Sequence, residues 1–219
     1  MPWQYAVALL NFIMARYTGP MHKLCRREGI PLCDSPKCPA RGKRKYPPGQ
    51  HGPTKGYPRG QSIYSKQLRA KQRVKRLYGM LENQFRRFFE MAKQLKGNTG
   101  ENLLKLLESR LDNAVYRVGL ADTRRQARQL VTHAHIMING KKINVPSYII
   151  KAEDLITVAP RAVKTKYFDE RLAVVGKKDR PAWLAWDDTK KVAKVVSEPD
   201  IRDLIESLAP KMIVELYSK

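Results

Sequence analysis

Apolar residues recur at steps of four, three, four and three through Leu81, Phe85, Phe88, Ala92 and Leu95. That spacing keeps one face of an α-helix apolar and predicts a helix packed on a core. Just upstream, "SKQLRAKQRVKRLYG" consists largely of helix formers and ends at Gly79, a natural C-terminal stop. Downstream, Asn98 and Glu101 have capping-box spacing. Leu103, Leu107, Leu111 and Val115 continue as one stripe to Gly119, which predicts a single helix. Thr123 and Gln126 open a shorter helix whose buried side is Ala127, Leu130 and Val131. "IMINGKKINV" places two short apolar runs around Asn139-Gly140, the pair that favours a two-residue hairpin. "SYIIKAEDLITV" predicts a strand, a turn at Glu153-Asp154 and a further strand. Residues 182–186, 191–196 and 211–217 are strand-like, and "EPDIRDLIESL" reads as a helix with Pro199 near its first turn. Residues 19–60, rich in Gly and Pro, show no hydrophobic period and read as loop. The sum is an α+β chain.

Charge changes the picture. The 219 residues carry 43 Lys+Arg against 20 Asp+Glu, a net charge of +23. Residues 21–80 hold 16 of the Lys/Arg and only Glu28 and Asp34, so the amino-terminal third is a basic arm. A field of this strength repels itself until a polyanion neutralises it, which points to nucleic acid. An acidic membrane surface is the rival partner, but no helix combines a basic face with a Trp/Leu face. The apolar start "MPWQYAVALLNFIM" is too short to span a bilayer and lacks a basic leader. A hydrophobic content of 42% suffices for a core. No Walker loop, His-Glu-x-x-His motif or nucleophile elbow is present, so the chain does not read as an enzyme.

Two constellations carry chemistry. Cys25, Cys33 and Cys38, the three cysteines, follow His22 in the order His-x2-Cys-x7-Cys-x4-Cys. Three thiolates and an imidazole make a closed, structural zinc set. Such a site stabilises a segment without a core of its own by about 10–16 kcal/mol. His51 competes for the fourth place, and an iron–sulfur cluster is the lesser alternative occupant. The second constellation is cationic. Lys66, Arg69, Arg73 and Arg76 share one helix face. Arg124, Arg125 and Arg128 open a helix whose N-terminus attracts anions. Arg110 and Arg117, two turns apart, and Lys141 and Lys142 after the hairpin turn would extend that face, with His133 and His135 reaching ribose or phosphate. Arg44, Lys45 and Arg59 of the arm, and Thr123, Gln126 and Asn139 at the turns, complete the candidate RNA contacts.

Residues 108–158 resemble the S-four-type RNA-binding domain, and the chain from Ala15 onward is similar to the bacterial small-subunit ribosomal S-four family. The resemblance rests on "ARYTGP", "LCRREGI", "SPKC", "YPPGQHG", "LESRLDNAVYR", "RRQARQLV", "INGKKINVPSY" and "VELYSK" taken together. It implies a cytoplasmic, ribosome-bound protein that binds 16S rRNA early in small-subunit assembly. It also implies contact with protein S-five, a place near the path by which mRNA enters, a part in translational accuracy, and autogenous repression in some members. Metal-binding members carry four cysteines, the first of which aligns with His22. The implied organisation is a non-native extension 1–13 before an initiator at Met14, a metal-stapled arm 14–58, a helical domain of 59–107 with 197–219, and an inserted RNA-binding domain, a helix pair on a small antiparallel sheet, within 108–196. Ala134 departs from the family, standing where a glycine is usual. A non-ribosomal S-four-domain RNA binder is the alternative; a pseudouridine synthase would need a catalytic domain for which the chain has no room.

Overall fold

The computed structural model describes residues 17–33, 35–42, 44, 46–52, 62–176 and 178–218. The expectation about residues 1–13 and Met14 lies outside them, as do Lys45 and Arg59. By contact the chain divides into two compact units, residues 1–94 with 207–219, and residues 95–206. The organisation expected from sequence places its divides at 107/108 and 196/197.

In the first unit, the segment read as loop contains a helix, α1 (Met21–Glu28). It escaped notice because eight residues give the apolar period two turns at most, and three of the eight are Lys or Arg. Gly29, at φ +72°, ends it in the left-handed conformation. Next come α2 (Ile63–Leu77), capped by the Ser62 hydroxyl, and α3 (Glu82–Gln94), which buries Phe85, Phe88, Phe89 and Ala92. The unit closes with a helix, α10 (Pro210–Tyr217), which packs on α2. The sequence predicts a strand there. Pro210 at the first helical position and a buried Ile213 override the local β-preference of "MIVELY". Tyr217 stacks on Phe89 at 4.5 Å and donates to Glu82 at 2.9 Å.

The second unit opens with α4 (Thr99–Glu108), capped by Asn98, then α5 (Leu111–Val118). These were expected to be one helix. The break falls at Ser109 and Arg110, the latter extended at φ −69°, ψ 139°. There the Leu111 and Asp112 amides leave the helical pattern and donate to the Tyr148 and Pro146 carbonyls. The chain continues through α6 (Arg124–Thr132), β1 (Ile136–Ile138), β2 (Lys141–Lys142), β3 (Leu155–Val158), α7 (Pro160–Val163), α8 (Lys166–Val175), β4 (Leu184–Asp187) and β5 (Val192–Val195), and on to α9 (Arg202–Leu208), which crosses the divide between the units. The strands form an antiparallel sheet in the order β2-β1-β3-β5-β4. Residues 148–150, expected as a strand, make only an isolated bridge between Ile149 and Arg110. Asn139 and Gly140, both at positive φ, form the predicted turn, setting Ile138 opposite Lys141. The core gathers Val115 of α5, Val131 of α6, Ile136, Ile156 and Ala193 of the sheet, and Phe168 of α8.

Candidate nucleic-acid interface and thiolate cluster

In the second unit Arg110, Arg117 and Arg128 are set over buried carboxylates and Arg124 over a buried amide. Glu108, at the end of α4, accepts both Nε and Nη2 of Arg117 at 3.0 Å and the Asn113 amide at 2.9 Å. Asn113 in turn accepts Arg124 Nε at 3.0 Å, and the Arg124 guanidinium lies over the Tyr116 ring at 4.4 Å. Asp112 takes Arg110 through two bonds, at 3.0 and 2.7 Å, and stands 3.7 Å from Arg128. Guanidinium forks held by such pairs present their outward N–H edges in fixed directions, which suits phosphate. Around them Arg125, His133, Lys141 and Lys142 are exposed. His133 and His135 lie with ring centroids 5.9 Å apart, and His135 meets Phe168 edge-on.

In the first unit, α2 repeats the device. Glu28, with a fully buried side chain, takes Arg69 at 3.2 Å and also Arg76, and both guanidiniums stay about a quarter exposed. Arg73, between them, reaches the Ser207 carbonyl at 3.4 Å, and Lys66 is exposed. Glu82 of α3 gathers Lys71, Lys75 and Tyr217. Burial raises the Glu82 carboxyl, but its bonds to Lys71, Lys75 and Tyr217 win and lower it to about 2.

The sulfurs of Cys25, Cys33 and Cys38 lie within 4.8 Å of one another, and those of Cys25 and Cys33 are 3.6 Å apart. That is too long for a disulfide and close to the ~3.8 Å tetrahedral edge that zinc–sulfur bonds of ~2.3 Å require. Burial and the two neighbouring thiols push the Cys33 thiol up to about 12. Cys38 also feels burial, yet the Ala40 amide and the other two thiols hold it below the ordinary thiol value. The donor set fits a soft or borderline metal ion. Arg26 beside it is engaged within the arm, donating to the Tyr46 and Pro47 carbonyls at 3.1 Å each.

Residues 16–108 match the family described as Ribosomal protein S4/S9 N-terminal domain, and residues 109–156 match the S4 domain. Small ribosomal subunit protein uS4 of Caldicellulosiruptor bescii is 49% identical over 212 residues, 94% of this chain and 100% of that protein. The chain belongs to the uS4 family. Proteins of the same name from Acetivibrio thermocellus and Halothermothrix orenii are 48% and 46% identical over the same shares of both chains.

One of the candidates in this uS4 chain needs correction. Arg110 is 0% exposed and bound along its fork to Asp112, so it cannot offer a free edge to phosphate; it holds the junction between α4 and α5. His22, in the first turn of α1, is exposed and stands outside the group formed by the three sulfurs, as does His51. Other candidates have a structural task besides any contact with RNA. Thr123 caps α6 by accepting the Gln126 amide, and the Gln126 side chain accepts the Asp122 amide. Asn139 ties the hairpin turn to β3 by donating to Asp154 and accepting the Leu155 amide. Arg44 is exposed in the arm. Sequence reading passed over Glu28, Glu108, Asp112 and Asn113. For the last three the signal was present in "LESRLDNAVYR", where acids and an amide alternate with the arginines.

Proposed function

We propose that the protein is a structural constituent of the small ribosomal subunit, not an enzyme, and that it binds 16S rRNA through forks held on buried acids. The observation that carries this reading is the set of Arg69, Arg76, Arg117, Arg124 and Arg128 side chains, each braced on a buried or half-buried partner, in a chain of the uS4 family. Folded RNA hides its base edges and presents phosphates and 2′-hydroxyls, so a rigid cationic relief on each unit suits its shape. Arg44, Lys66 and Arg73 add charge to the first unit's relief and Arg125, Lys141 and Lys142 to the second's, where His133 and His135 offer ring nitrogens for hydrogen bonds. Protein S-five and mRNA on its way into the ribosome are the further partners that the resemblance implies. The working division is a basic arm 14–58, a helical body 59–107 with 197–219, and an RNA-binding module within 108–196.

Zinc is the metal that suits Cys25, Cys33 and Cys38, with His22 turned inward from α1 as fourth ligand. When bound, it would supply cross-linking of the arm and no catalysis. The small core of Leu32 and Ala40 around the cysteines leaves that segment dependent on such a staple.

Binding to a 16S 5′-domain fragment at rising salt, against an unstructured polyanion of equal length, tests the function. A log–log slope of about −7 to −9, expected for ten phosphates, with clear preference for the fragment supports it. Equal affinity for both polyanions overturns it.

A further inference from the structure

The short helix Met21–Glu28 carries two groups that face different tasks. Cys25 belongs to the sulfur cluster, and Glu28, one turn later, is the buried carboxylate shared by Arg69 and Arg76. A single rigid turn joins them, so whatever fixes Cys25 also fixes Glu28. Both arginines bond the same oxygen, Oε1; Oε2 is buried and has no hydrogen-bond partner among the described residues. The side chain therefore does not sit in a self-sufficient network. Its placement depends on the backbone of α1, and that backbone is held by Cys25, Leu32 and Cys38 packed with Leu77 of α2.

We propose that Glu28 is a positioning residue that couples the thiolate cluster to the phosphate-binding edge of α2. It rests on the reading that Arg69 and Arg76 touch RNA. With Glu28 in place, two guanidiniums that would repel are held side by side with their remaining N–H groups outward. With α1 loosened, the carboxylate moves and the pair splays.

The sign of one substitution separates this from simple electrostatics. Glu28→Gln adds one net positive charge, so a mere charge effect strengthens RNA binding. Positioning predicts the reverse, a loss of about fivefold or more in affinity for the 16S fragment, the lower range of coupling between linked sites. The full-length chain, zinc-loaded, is measured as wild type, Glu28→Gln, Glu28→Asp and Arg69→Gln/Arg76→Gln, with circular dichroism and bound zinc recorded for each. The proposal expects zinc retained in Glu28→Gln, lost affinity, and partial recovery in Glu28→Asp. It also expects chelation to weaken RNA binding by wild type more than by Glu28→Gln, because the coupling has already been cut. Unchanged or tighter binding by Glu28→Gln overturns it, as does equal sensitivity of both chains to chelation. If the double arginine variant binds RNA as wild type does, the underlying reading fails instead.

Discussion

The Glu108 carboxylate receives Arg117 along the whole edge of its guanidinium, Nε and Nη2 both at 3.0 Å, nine residues away and across the break between α4 and α5. The acid is almost wholly buried and also binds Asn113, so it anchors a chain that ends at Arg124. Glu108→Ala removes the buried carboxylate that Arg117 and Asn113 share. A loss of about 2–4 kcal/mol is expected, below the largest values for broken buried pairs because Arg117 is partly solvated. Urea unfolding of the variant measures it; a change under about 0.5 kcal/mol would show that the pair is ornamental.

Arg110 and Lys141 were equal candidates by sequence but should fail differently. Arg110→Gln removes a fully buried guanidinium from Asp112, so it lowers the melting temperature. Lys141→Gln with Lys142→Gln touches two exposed side chains, so it leaves melting alone and flattens the salt dependence of RNA binding by about 1.4–1.8 in slope. Thermal scans beside salt titrations distinguish the two patterns, and a reversed pattern would refute both assignments.

Ala134 occupies the left-handed region at φ 55°, following the α6 cap at His133. A side chain there is strained, and the hydrogen bond from its amide to Val131 keeps the backbone from relaxing. Ala134→Gly is expected to stabilise the chain by about 1 kcal/mol, or ~2–4 °C in melting temperature. No gain on differential scanning calorimetry would mean that the turn has adapted to alanine.

Glu82 supplies a pH dependence. Its carboxyl lies near 4.5 when unfolded and near 2 when folded, because Lys71, Lys75 and Tyr217 outweigh burial. A depressed folded value stabilises the native state above pH 4.5, and the contribution disappears as pH falls through about 2. The side chain is 42% exposed, so the effect is modest. Wild type and Glu82→Gln should differ in urea midpoint at pH 6 and converge near pH 2. A gap that stays constant across that range would contradict the ion-pair account.

The thiolate cluster predicts one bound zinc per chain in protein purified without chelator. Cys33→Ser should abolish retention, and His22→Ala should weaken it, read by elemental analysis. Full retention by His22→Ala would leave the fourth place to another ligand.

The parts of the fold legible in the sequence are those governed by local rules. Asn139-Gly140 announced its turn because few other pairs adopt two successive positive φ values. Thr123 and Gln126 marked the start of α6 because the cap is made by side chains three residues apart. What escaped reading depends on partners distant in the chain. The leucine stripe through Leu103 to Val115 runs unbroken, yet the helix stops at Arg110 because the 146–148 backbone captures the next amides. Residues 211–217 became helix because α2 offered a surface to pack on. At the interface, charge revealed the arginines but not the acids beneath them, since a carboxylate that orients and one that merely neutralises look alike in a list of residues.

Helix α10 completes its unit with partners 148 and 135 residues earlier, Glu215 taking Gln67 and Tyr217 reaching Glu82. Translation runs from the amino to the carboxyl end, so those partners do not exist until α10 has been made. The intervening 95–206 unit has all its strands before that moment and can fold while the amino-terminal part still waits. Truncation before α10 would thus leave the 95–206 unit whole and the other unit without the partners of Gln67 and Glu82.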